Sequence, residues 1–313
     1  MYKIGVVPLN GFALMSYASV VEPLRAANLL GGKTFYEVLN ITLSSEGAES
    51  SSGIVIKGDK VVGDRVKLNA VLVIAGGDPF LISDKRLFNW LNRLAKFGTV
   101  IGGVSGGPVI LVKAGLMAER RMTVHWEHLE GLIELARKSS VEKSLFVIDQ
   151  DRMTCAGGTA PIDMMLALIS SQQGAVFAQF VSDWFLHTEI RPSGGPQRGR
   201  LADRLGTTNE VVISVVELME NHLADPLTLI QLSNLVGISK RQINRTFKAC
   251  IGKTTMSFYR SLRSEKARNL IRNSSLTISE IAESTGFSNP SHLSVVFSKI
   301  YGVPPSSYRF RRL

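Results

Sequence analysis

Apolar and polar positions follow two different rhythms along the chain. Up to about residue 190, short runs that are apolar at nearly every position, "YKIGVVP" (2–8) and "AVLVIAG" (70–76), are separated by stretches with helical spacing. Strands apolar on both sides belong to a parallel sheet covered on both faces. "ALMSYASVVEPLRAANLLGG" (13–32) predicts a helix closed by Gly31-Gly32, and "FYEVLNITLS" (35–44) a strand. "DKRLFNWLNRLAKFG" (84–98) reads as an amphipathic helix behind a Ser/Asp cap, ended by Gly98. "TVIGGV" leads into a turn at Ser105. A helix near 125–138, strands near 145–155 and one long helix from about Thr159 to His187 follow. This alternation predicts an α/β domain over 1–190, a mainly parallel sheet sandwiched by helices.

"RPSGGPQRGR" (191–200) has no periodicity and is rich in Gly, Pro and Arg, so 191–209 is expected to be a linker. From 210 to 313 the pattern is wholly helical and repeats itself. "LTLIQLSNLVGIS" (227–239) aligns with "LTISEIAESTGFS" (276–288) at an offset of 49, and Phe247, Gly252 and Phe258 align with Phe297, Gly302 and Tyr308 at an offset of 50. Each unit is a short helix, a turn at Gly237 or Gly286, and a second helix, which is helix-turn-helix syntax in an all-α domain. "SFYRSLRSEKARNLIRN" between them is the expected connector.

Charge sharpens this division. Residues 1–190 balance 18 Lys and Arg against 18 Asp and Glu, so the whole excess of +10 lies beyond them. A neutral domain followed by a basic one suggests that the second meets a polyanion, double-stranded DNA first among them. In a helix-turn-helix the second helix enters the major groove. In the first unit that helix offers Ser239, Lys240, Arg241, Gln242, Asn244, Arg245 and Lys248, with Ile243 and Phe247 facing inward. In the second it offers Asn289, Ser291, His292, Ser294 and Lys299, with Leu293, Val296 and Phe297 packing. Arg and Lys suit guanine edges or phosphates, and Asn and Gln suit adenine.

The run Ser239, Arg241, Arg245-Thr246-Phe247-Lys248, Gly252, Arg263, Ala267, Ile281-Ala282, Gly286-Phe287, Ser291-His292-Leu293, Phe297, Tyr301-Gly302-Val303-Pro304-Pro305 and Tyr308-Arg309 resembles the AraC/XylS-type DNA-binding domain over about residues 210–313. It departs from the family at Thr254-Thr255, where the first unit often carries a Pro as in Pro304-Pro305.

"GVSGG" (103–107) begins as G-x-S-x-G, the sharp strand-to-helix turn that presents a nucleophile. With "EPLRAAN" (22–28), "GGDP" (76–79), "TVHWE" (123–127) and "CAGGTAPIDMML" (155–166), it resembles the class I glutamine amidotransferase-like superfamily, in the PfpI-type branch fused to AraC-type domains. Enzymes of that superfamily carry a cysteine at the elbow, with a histidine and an acid nearby; here the residue is Ser105. Serine needs a positioned base, for which His125 is the nearby candidate in the matched motifs. Ser105, Asp149 and His187 would fit a hydrolase triad by order alone, although His187 beside the linker is poorly placed. Cys155 reads as a buried thiol.

No catalytic residue is therefore assigned. The elbow is expected to be a sensor pocket for a small carboxylate-bearing metabolite. Ser105, Gly106 and Gly77 would hold the anionic end. Glu22, Trp126 and Phe12 or Met15 would meet a cationic one, and His125 would be a structural histidine of the pocket. The resemblance implies a ligand-responsive transcription regulator, an activator of catabolic genes for amino acids or quaternary amines, working as a homodimer with RNA polymerase as partner. The rival is an amidase or hydrolase that uses Ser105 and carries an appended DNA-binding domain. No cofactor or metal is expected. With no apolar run near the roughly 18 residues of a membrane span, no membrane partner is expected either, and the place of action is expected to be the cytoplasm.

Overall fold

The structure, a computed structural model, describes residues 1–274 and 276–310 and divides into two compact units, Met1–Gln197 and Arg198–Leu313.

In the first unit, β1 (Tyr2–Pro8), β2 (Tyr36–Thr42), β5 (Lys60–Val61), β6 (Ala70–Ala75), β7 (Val100–Ser105), β10 (Phe146–Asp149) and β11 (Arg152–Cys155) form a seven-stranded sheet in the order β10-β11-β7-β6-β1-β2-β5. All neighbours are parallel except β10 and β11. Alternation along the strands sends Ile4, Val6, Leu72 and Ile74 to one core, with α1 (Leu14–Gly31), α5 (Ala160–Gln173) and α6 (Ala175–Trp184). Val7, Val71 and Val73 go to the other, with α2 (Lys85–Lys96), α3 (Gly107–Lys113) and α4 (Leu129–Leu135). All six residues of β6 are buried, as its unbroken apolar run requires. Two small sheets escaped the sequence pattern: β3 (Ala48–Glu49) with β4 (Val55–Ile56), and β8 (Arg121–Thr123) with β9 (Ser140–Glu142). They pair too few residues to impose a period.

Helix ends follow local chemistry. Gly32 closes α1 in the left-handed conformation, and the Asp84 carboxylate accepts the Arg86 and Leu87 N–H groups at the start of α2. The single helix expected from Thr159 to His187 is two. It breaks at Gly174, whose φ of 93° and ψ of 155° no residue with a β-carbon adopts readily, and the chain resumes as α6.

The second unit contains α7 (Leu201–Leu205), α8 (Glu210–Asn221), α9 (Leu229–Val236), α10 (Lys240–Ile251), α11 (Thr255–Asn273), α12 (Ile278–Ser284), α13 (Pro290–Tyr301) and α14 (Pro305–Phe310). The repeat is exact at the caps: Thr228 with Gln231 and Thr277 with Glu280 form capping boxes on α9 and α12, and Gly252 and Gly302 close α10 and α13 at the same φ of 76°. Each repeat has its own core, Leu232, Ile243 and Phe247 in one and Ile281, Leu293 and Phe297 in the other. α11 enters both, with Tyr259 in the first and Ala267, Leu270 and Ile271 in the second, so it acts as a rigid connector. The buried Arg263 holds the second turn to α11 by donating to the carbonyls of Thr285 and Gly286, with its guanidinium 4.4 Å from the Phe287 ring centroid.

The linker expected over 191–209 is structured at both ends: 191–197 fold into the first unit, and 201–205 form α7 of the second. Hydrogen bonds, rather than apolar periodicity, hold 191–197 in place, so the pattern gave no sign of them.

Candidate functional site

Ser105 ends β7 at φ 60°, a left-handed conformation costly for a residue with a β-carbon. The turn tolerates it because the chain reverses over small neighbours: a β-carbon on Gly107 would run into the Val73 carbonyl. The elbow is poorer in free donors than the sequence suggests. The Gly106 N–H is committed to the Ala75 carbonyl at 2.8 Å, Pro108 has no N–H, and α3 has only seven residues.

Three loops at the carboxyl ends of the strands surround Ser105. Gly157, after β11, faces it so closely that a β-carbon there would lie 2.6 Å from the serine Cβ. The next residue, Gly158, donates its N–H to Ser16 Oγ at 2.9 Å, which brings the first turn of α1 to the same edge. The Ser105 carbonyl accepts the His125 N–H at 3.3 Å. The β6–α2 loop is held by Lys113, whose ammonium donates to the carbonyls of Phe80 and Ile82. Burial lowers the Lys113 pKa.

An aromatic row runs from that loop: Phe80 to His128 at 6.1 Å, His128 to His125 at 5.9 Å and His125 to Trp126 at 5.2 Å between ring centroids. Trp126 is 38% exposed at its end. His125 Nδ1 accepts the Glu127 N–H at 3.3 Å, which leaves Nε2 to carry the proton of the neutral ring, and burial lowers its pKa below the usual histidine value. Neutral His125 is thus a donor rather than a free base.

On α10, Ile243 and Phe247 are buried, while Lys240, Arg241, Gln242 and Arg245 are exposed, with Arg241 and Arg245 one helical turn apart. On α13, Leu293 and Phe297 are buried and Ser291, His292, Val295 and Lys299 are exposed. Two short helices thus present polar stripes from a common connector.

Residues 3–171 match the family model for the DJ-1/PfpI family and residues 232–311 that for a helix-turn-helix domain. The chain is 39% identical to the HTH-type transcriptional regulator GlxA of Rhizobium meliloti (strain 1021), over 99% of this chain and 96% of that protein. It is 36% identical to the HTH-type transcriptional regulator CdhR of Pseudomonas aeruginosa, over 96% and 89%. The chain is a DJ-1/PfpI-family transcriptional regulator. Its helix-turn-helix region is of the AraC type, as the resemblance implied. Among solved structures, a THiJ/PfpI family protein from Pseudomonas syringae superposes with a TM-score of 0.54 at 20% identity, covering 70% of this chain and 86% of that one. An AraC family transcriptional regulator from Pseudomonas putida superposes with a TM-score of 0.52 at 22% identity, covering 59% and 100%. Both share the fold.

In this DJ-1/PfpI regulator the elbow brings together Ser105, Gly106 and His125, with Trp126 beside His125. The other pocket expectations fare differently. Glu22 lies six residues, or about 9 Å, further along α1 than Ser16, and its carboxylate is paired with Arg25 at 2.7 Å. Gly77 is exposed at φ 60° in the neighbouring loop; Phe12 is fully buried and Met15 exposed. Ser16 and Gly157 were missed, since no local pattern marks a residue whose role is to touch a loop 142 positions away. The triad that order allows does not assemble. Asp149 pairs with Arg152 opposite the start of β7, the other end from Ser105, and His187 Nε2 is bound to Asp163 Oδ1 at 2.9 Å. Burial pushes the Cys155 thiol up to about 12.

Several residues expected to read DNA also make hydrogen bonds within the fold. Ser239 and Asn289 are N-caps, accepting the N–H groups of Gln242 and His292. Asn244 Oδ1 accepts the Thr255 N–H at 3.2 Å, and Lys248 Nζ donates to the Gly252 carbonyl at 3.0 Å. Ser294 is half-buried, and His292 shares a hydrogen bond with Ser288 at 3.0 Å. Val295, taken as none of these, is 68% exposed.

Proposed function

We propose that the first unit binds a small amino-acid-like or quaternary-amine metabolite at the Ser105 elbow and thereby sets how the second unit engages promoter DNA. The observation that carries this reading is an elbow furnished for binding and not for proton transfer. The Ser105 hydroxyl and the Nε2–H of neutral His125 suit a carboxylate, and an indole such as that of Trp126, beside His125, is a ring that suits a cation, while Asp149 and His187 of the triad are engaged elsewhere. Gly77 contributes from the adjoining loop. Glu22, in an exposed ion pair with Arg25, would exchange that partner to meet the cationic end.

On DNA, Lys240, Arg241, Gln242 and Arg245 of α10 and Ser291, His292, Val295 and Lys299 of α13 read successive major grooves, about 34 Å or roughly ten base pairs apart. The regulator acts in the cytoplasm as a homodimer and activates catabolic genes through RNA polymerase. Among the described residues no helix is long and apolar enough to cross a membrane.

The test is a thermal-shift screen of the full chain against glycine betaine, carnitine, choline and arginine. A ligand at 100 times its Kd adds about 2.7 kcal/mol of stability. The expected result is an upward shift that Ser105→Ala removes, with no turnover. Hydrolysis of an amide or ester probe that Ser105→Ala abolishes would replace the sensor with the enzyme reading.

A further inference from the structure

Residues 191–197 are fastened to the first unit at three places. At the first, Arg191 meets the buried Asp163: its N–H donates to Oδ1 at 2.8 Å, and its Nε and a terminal nitrogen donate to Oδ2 at 3.0 and 2.6 Å. The same nitrogen reaches Thr159 Oγ1 at 3.0 Å. At the second, the Ser193 carbonyl accepts the Leu145 N–H at 2.8 Å, and Gly195 packs on the Leu145 side chain. At the third, the two hydrogens of the Gln197 amide nitrogen are shared among Thr123 Oγ1, the Val124 carbonyl and the Ser144 carbonyl, at 3.0, 3.0 and 2.7 Å from the nitrogen. The second unit begins one residue later.

Every fastening point adjoins a group at the elbow. Thr159 is two residues from Gly157, which faces Ser105, and next to Gly158, which is bound to Ser16. Leu145, whose N–H holds Ser193, accepts the Ala156 N–H on its own carbonyl at 2.8 Å, and Ala156 precedes Gly157. Val124 precedes His125, whose N–H is on the Ser105 carbonyl. Two of the three loops that surround Ser105, those after β8 and β11, are therefore loops that hold 191–197. They cannot shift to admit a ligand without disturbing at least one fastening, because hydrogen bonds of 2.6–3.0 Å weaken steeply with distance and angle.

We propose that Arg191–Gln197 is a latch whose closure depends on the state of the Ser105 elbow. Closed, it holds the chain to the first unit up to Gln197. Open, it adds seven residues of free tether, up to roughly 24 Å of reach, to the connection with the DNA-binding unit. This gives the sensor reading its route from pocket to DNA and rests on that reading for its biological sense.

The experiment uses the full chain without ligand. Trypsin cleavage after Arg198 and Arg200 reports latch opening, since a protease needs several residues on each side of the bond in extended form. Gln197→Ala, which removes a fastening directly, marks the open rate. Ser16→Ala touches only the elbow side, by freeing Gly158. It is expected to raise cleavage at both bonds about fivefold, the effect of one hydrogen bond on the opened fraction. Linkage requires the reverse effect: Gln197→Ala speeds amide exchange in the peptide spanning 156–160. Should Ser16→Ala fail to fold, which circular dichroism would reveal, Gln197→Ala decides alone: cleavage that rises while exchange at 156–160 stays at the wild-type rate would overturn the latch. Exchange at 156–160 that rises in Ser16→Ala while cleavage at Arg198 and Arg200 stays at the wild-type rate would overturn the latch. Neither readout needs an effector, so a ligand screen that finds nothing removes the sensor reading and leaves the latch intact.

Discussion

Gly157 and Ser105 sit back to back across the loop between β11 and α5, so close that a methyl group on Gly157 would lie 2.6 Å from the serine Cβ. Gly157 also holds φ 86°, where a side chain is strained in any case. Gly157→Ala should therefore cost roughly 2–4 kcal/mol, from backbone strain and overlap together. Thermal unfolding of the full chain checks this. Ser105→Gly should return part of the loss in the double variant, because it removes the atom that is struck.

Asn244 and Thr255 explain why the first repeat dispenses with the proline of the second. Thr255 occupies the first position of α11, and its N–H is taken by Asn244 Oδ1; at the equivalent place Pro305 has no N–H to satisfy, and Asn244 is replaced by Ser294. Asn244→Ala should destabilise by about 1 kcal/mol. In a Thr255→Pro background the same substitution should cost nothing, since proline is favoured at a first helical position. A double-mutant cycle by denaturant unfolding reads the coupling.

Arg245 and Val295 occupy equivalent places in the repeat, fifty residues apart, and both are exposed. The two helices should thus read their grooves by different means. Arg245→Ala should cost about 1–3 kcal/mol if the guanidinium holds a guanine, with discrimination lost at that base pair. Val295 suits a thymine methyl. Replacing one thymine by uracil in a duplex selected by the protein should weaken wild-type binding about fourfold, the ~0.8 kcal/mol of one buried carbon, and leave Val295→Ala unaffected. Equal losses in both proteins would remove Val295 from the base contacts.

His125 gives the first unit an acid-sensitive stability. In the unfolded chain its ring takes a proton near the ordinary value of 6.5, while burial holds the folded value lower. Between the two values the unfolded chain binds more protons, so stability is full above pH 6.5 and falls as the pH drops through that window. His125→Asn keeps an acceptor for the Glu127 N–H and cannot titrate. Unfolding followed from pH 7.5 downwards should show a shallower decline in that variant.

What the sequence by itself determined are features carried by neighbours along the chain. The unbroken apolar run of β6 predicts a strand buried on both faces. The cap residues Thr228 and Thr277, 49 positions apart, mark two copies of one helix-turn-helix, and the glycines around Ser105 predict the elbow. Spacing of 2 or 3.6 residues and local capping leave a trace in any single chain. Only the tertiary structure decided the rest. It paired Glu22 with Arg25, spent Asn244 on Thr255, brought Ser16 to Gly158 across 142 residues and fastened Gln197 to Thr123. Those roles depend on which polar groups become buried side by side, and a buried donor takes whatever acceptor packing supplies. A polar residue therefore looks the same in sequence whether it will face a ligand, a base or the protein's own backbone.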